Sequence, residues 1–164
     1  MGTGPPQFPG SGFLVPGSSV PVPTLYFETD PPEPCPYAFA GDTADLVYFL
    51  SFAFSARYGA THELSRASLL LRGEFKIDLR PLFTFADREV EEPIDERELE
   101  RAWQAAAPLA ECCRQVVAAF DSGHARLREL TAGFPALRDR LEELSHMAQW
   151  AAERGARVRL TYEL

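Results

Sequence analysis

The chain reads as an α+β domain: an antiparallel sheet built on a long β-hairpin, with one face covered by an antiparallel helical hairpin. Three observations carry this reading. Apolar residues recur at steps of four and three from Leu99 to Phe120 and again from Leu127 to Ala151, which is the seam of two helices folded on each other. Apolar and polar residues alternate over 45–58, 64–80 and 158–164, the period of half-buried strands. Residues 1–23 are Pro, Gly and Ser with isolated apolar residues, a composition that builds no core and leaves an extended or disordered tail.

The bulk numbers narrow the function. At 164 residues the chain is long enough for one domain with a real core, over 24–164. The formal net charge of −8 and pI near 4.9 argue against nucleic acid and against anionic membrane as partners, because both require basic patches. Lys76 is the only lysine and there is no Asn. No window approaches the roughly 18 apolar residues of a membrane span, and no basic region opens a secretory signal. The cysteines are Cys35, Cys112 and Cys113. An odd count with one adjacent pair is no disulfide framework, so a reducing cytoplasm is expected.

Within the tail, Phe13-Leu14-Val15 has the make-up of a docking peptide for a partner or neighbouring subunit. A short strand follows at 24–29, then a Pro-rich loop over 30–36. No Lys or Arg precedes Arg57, so this third of the chain is anionic. Residues 45–58 fit two periods. Asp42-Thr43-Ala44-Asp45 can cap a helix with Leu46, Phe49, Leu50 and Ala53 on one face. Leu50, Phe52, Phe54 and Tyr58 also alternate as on a strand, and five aromatics favour the strand. Alternation continues through Ala67, Leu69, Leu71, Phe75, Ile77 and Leu79, with Gly73 as a bulge. The two runs then make the long hairpin; a short helix at 62–72 stopped by Gly73 is the competing reading.

Residues 87–100 are strongly acidic, with Asp95 and Glu98 in a capping-box pattern ahead of a helical hairpin over 95–154. Pro108 is expected to kink the first helix, Gly133 to Pro135 to interrupt the second, and Gly155 to end it. The final strand, 158–164, is expected to run antiparallel to 66–80.

Chemistry-bearing motifs are sparse. His62, His124 and His146 lie far apart without metal spacing and read as surface residues. Cys112-Cys113 lacks the spacing of a redox or zinc pair. No serine sits in a Gly-x-Ser-x-Gly turn, and Gly10-Ser11-Gly12 opens no helix. No catalytic residue, metal or cofactor is therefore expected. Arginines of the second helix alternate with acids, as on a solvated face.

The expected function is non-catalytic: a self-associating accessory or assembly subunit, forming a homodimer or binding another protein. Two other classes compete. One is a small-molecule-binding or enzymatic domain with a pocket formed by Tyr48, Phe52, Phe54, Tyr58, Trp103 and Trp150. The other is an acidic regulator that presents Glu89, Glu91 and Glu92 to a basic partner.

Overall fold

The computed structural model describes residues 22–55 and 61–164; the expected tail lies outside them except for Val22 and Pro23. Strand β1 (Thr24–Asp30) forms where expected, with Leu25 and Thr29 buried. The long β-hairpin does not form. Its first arm is helix α1 (Ala44–Ser55), and its second is helix α2 (Glu63–Gly73) followed by an irregular connector.

Burial explains the first correction. Leu46, Phe49, Leu50 and Ala53 are fully buried, whereas Tyr48 and Phe54 face outward. The helical period therefore places the apolar bulk inward, and this outweighs the strand preference of aromatic residues. Asp42 Oδ1 accepts the Ala44 N–H at 3.1 Å, and Thr43 Oγ1 accepts the Leu25 N–H at 2.8 Å, tying the start of α1 to β1.

In α2, Leu64, Ala67 and Leu71 point inward. His62 caps the helix, its Nδ1 accepting the Leu64 N–H at 3.0 Å. Ser65 Oγ donates to the Phe52 carbonyl at 3.0 Å and Ser68 Oγ to the Ser65 carbonyl at 2.8 Å, so both buried hydroxyls are satisfied. Beyond Gly73, the N–H groups of Glu74 and Phe75 converge on the Leu70 carbonyl. Lys76 follows at φ 59°, the one non-glycine residue among those described with positive φ. Ile77 and Leu79 are buried from this irregular connector, which pairs with no strand among the described residues.

Helix α3 (Arg80–Phe83), strand β2 (Phe85–Asp87), helix α4 (Pro93–Arg101) and strand β3 (Gln104–Ala105) follow. The expected helical hairpin over 95–154 is thus divided. Its long arms are α5 (Ala106–Asp121) and α7 (Leu137–Glu153), with α6 (Ala125–Thr131) between them. Seam residues Ala110, Cys113, Leu141, Leu144 and Ala148 are essentially inaccessible. Pro108 kinks nothing: it sits in the first turn of α5, where a missing N–H removes no intrahelical bond. Gly155, at φ 68°, stops α7 in the left-handed conformation.

The sheet is mixed, not purely antiparallel. Central strand β4 (Arg157–Glu163) pairs antiparallel with β1 from Thr24↔Glu163 to Asp30↔Arg157. Its other edge pairs parallel with β2, Phe85 opposite Leu160, and antiparallel with β3, Gln104 opposite Val158. The place expected for 66–80 beside the last strand is taken by β1. The three helices α5, α6 and α7 are a long enough crossover to return the chain parallel to β2. One sheet face carries Phe27, Val158, Leu160 and Tyr162 onto the helical core; the other is polar.

Candidate functional site

The six aromatics of the expected pocket disperse. Tyr48 lies on the outside of α1, edge-on to Phe134. Phe52 stacks on His62 with ring centroids 3.7 Å apart. Phe54 stands edge-on to Phe83 and Phe85. Trp103 lies over the polar sheet face, Trp150 is buried in α7, and Tyr58 is outside the described residues, as are Phe13, Leu14 and Val15.

The polar sheet face is an arginine–aromatic lattice. Arg159 stacks on Trp103 at 4.4 Å, binds Glu28 at 2.8 Å, and donates to the Leu99 carbonyl at 3.2 Å. Arg88 covers the Tyr26 ring at 3.9 Å and reaches the second Glu28 oxygen at 3.4 Å. The Tyr26 hydroxyl donates to Glu163 at 3.0 Å, and that bond raises its pKa. These groups satisfy one another.

Beside them a groove of about 410 Å³ is lined by Phe27, Thr29, Cys35, Trp103 and Arg159. Cys35 is the half-buried thiol of the three. Burial pushes the Cys112 thiol up to about 12, with the Asp78 charge adding to it, and holds Cys113 well above its ordinary value. A thiol-specific chromogenic reagent is expected to titrate Cys35 alone in the native protein and all three cysteines after denaturation. Cys35→Ser should abolish the native reaction.

A different constellation gathers on the outer side of α2. Leu69 is 45% exposed. Two shallow grooves, of about 460 and 530 Å³, meet at Leu69 and Gly73. Leu70, Leu130 and Ile77 supply apolar lining from three segments. A Cβ added at Gly73 would meet nothing within 4 Å, so the backbone itself is open there. Arg66, Arg72, Lys76 and Arg126 stand around this apolar floor.

The rim is unusual in its pairing. Most arginines of this acidic protein hold a carboxylate, as Arg138 holds Asp121 at 2.8 Å and Glu142 at 2.7 Å. Arg126 binds Glu129, but Arg66, Arg72 and Lys76 make no ion pair among the described residues. The rim acids are already engaged. His124 holds Glu74 at 3.0 Å, and Arg80 chelates Asp78 and depresses its pKa, to which Arg72 adds at longer range. His124 Nδ1 meanwhile accepts the Leu127 N–H, capping α6. Two of the three histidines are therefore helix caps, a role that required knowing where the helices begin.

The acidic run forms a second exposed surface. Glu89, Glu91 and Glu92 are all exposed and make no ion pair among the described residues. Val90 and Ile94 stand among them at 44% and 50% exposure. The Asp95 carboxylate accepts the N–H groups of Glu91 and Glu92, each at 2.9 Å, which fixes the turn into α4 and depresses the Asp95 pKa. The cap thus lies three residues upstream of the expected Asp95–Glu98 pair.

Among the described residues no group of three or more His, Cys, Asp or Glu is arranged to hold a metal ion, and no helix is long and apolar enough to cross a membrane. No protein-family model matches the chain, and neither the curated proteins nor the solved structures contain a match to it.

Proposed function

We propose that the protein is a non-catalytic, self-associating interaction subunit of the cytoplasm, and that the α2 groove is its docking surface. The observation that carries this reading is Leu69: a large apolar side chain exposed at the centre of an apolar floor, with Arg66, Arg72 and Lys76 on its rim making no ion pair among the described residues. An apolar centre with a charged rim is the anatomy of a protein–protein interface. The three free thiols suit a reducing compartment.

Native mass spectrometry of the protein purified from its own cells tests the reading. A species heavier than the monomer is expected, and Leu69→Asp should remove it without loss of folded structure. A lone monomer, or a complex indifferent to Leu69→Asp, sinks the proposal.

A second reading is favoured by Val90 and Ile94, exposed within the acidic run. On this reading, the run is presented to a basic partner protein. Its mark is association that weakens in about 1 M salt, where the screening length falls to about 3 Å.

A further inference from the structure

We infer that the occupant of the α2 groove is a second copy of this chain, which contributes its acidic segment 89–96. The inference rests on the proposed function and names the partner for the same groove. Its argument is complementarity between two surfaces of one molecule. The groove offers the apolar contacts Leu69 and Leu70 and the unpaired cations Arg66, Arg72 and Lys76. The segment offers the exposed apolar side chains Val90 and Ile94 and the unpaired acids Glu89, Glu91 and Glu92. Each surface carries what the other lacks, in a protein whose remaining arginines are mostly neutralised internally.

Lys76 strengthens the assignment of the groove side. The only lysine of the chain is held at φ 59°, a conformation that costs a non-glycine residue strain and collects at functional positions. Leu69 and the acidic segment are different patches, so the contact is head-to-tail. It closes into a dimer only if both patches engage across a twofold axis, and otherwise builds a ring or a chain.

Charge reversal tests the pairing. Arg66→Glu/Arg72→Glu makes both patches acidic; Glu89→Lys/Glu91→Lys removes most of the negative charge of segment 89–96 and sets two cations against the basic rim. Glu92 is left intact because it precedes α4 and joins its cap. Each variant alone is expected to lose the heavier species, with a rise of about tenfold or more in dissociation constant. Mixing the two variants should restore it. Association of the wild type that survives either reversal, or a mixture that stays monomeric, overturns the inference.

A measurement without variants guards against misfolding. A zero-length carbodiimide joins an amine to a carboxylate in direct contact. In a mixture of unlabelled and ¹⁵N-labelled wild type, Lys76 is expected to be joined to Glu89, Glu91 or Glu92 of the other isotopic form. Crosslinks from Lys76 only within one chain, or to other carboxylates, overturn the inference. So does a heavier species whose added mass is a foreign polypeptide; that result leaves the docking groove standing while removing the second copy from it.

Discussion

Replacing Phe49 by alanine is expected to cost about 4 kcal/mol of folding stability, within the usual range of about 3–5 for a buried aromatic. Phe49 is completely inaccessible. Its helix, α1, touches β1, α2, α3 and α7, so four elements would have to move together to close the void. Tyr48→Ala is the control. Tyr48 is 40% exposed and its ring meets Phe134 edge-on at the surface, so about 1 kcal/mol or less is expected. The pair also separates helix from strand at this point. In a strand, Tyr48 would share the inner face with Leu50 and Phe52, and Phe49 would point away. Urea denaturation of both variants measures the contrast. Equal costs, or a larger cost at Tyr48, would contradict the helical α1.

The same segment shows where the sequence was legible. Both periods were present at 45–58, and only the tertiary partners decide between them. Leu64, Ala67 and Leu71 of α2 are buried where α2 packs on the helical face, and among the described residues no strand pairs with this segment. Beyond α2, Ile77 and Leu79 are buried from an irregular connector, so apolar spacing there reflects inward packing without a strand. Strands β1 and β4 and the α5/α7 seam were readable because each is long, regular and bounded by Pro or Gly. Strands β2 and β3, at three and two residues, are too short to carry a period. Without them the parallel pairing to β4 was out of reach. The acidic run was visible as charge, but its exposed Val90 and Ile94 were not. The groove was invisible, because Arg66 and Leu69 meet Arg126 and Leu130 only through the packing of α2 on α6.

The second large effect concerns Arg140 and Glu143 on α7, and its sign depends on which partner is removed. Arg140 Nη1 donates to Glu143 Oε1 at 2.6 Å, and the same oxygen accepts the Ala40 N–H at 3.2 Å. The side chains are only 12% and 22% exposed, so water screens the pair poorly. The guanidinium lies against the backbone of Gly41, where an added Cβ would come within 3.5 Å of Nη2. Its Nε is buried with no hydrogen-bond partner among the described residues. Glu143→Ala therefore strands a positive charge and frees the Ala40 N–H at once, at an expected cost of about 2–3 kcal/mol. Arg140→Met removes the charge together with the orphaned Nε and keeps an unbranched stem over Gly41. The remaining carboxylate still has the Ala40 N–H and more access to water, so about 1 kcal/mol is expected. The double variant should cost less than the sum of the two, because the stranded charge that dominates Glu143→Ala no longer exists. Urea denaturation of the three variants gives the cycle. If Arg140→Met proves costlier than Glu143→Ala, the guanidinium contributes through contacts other than this ion pair, and the loop over 31–43 is held to α7 by packing rather than by charge.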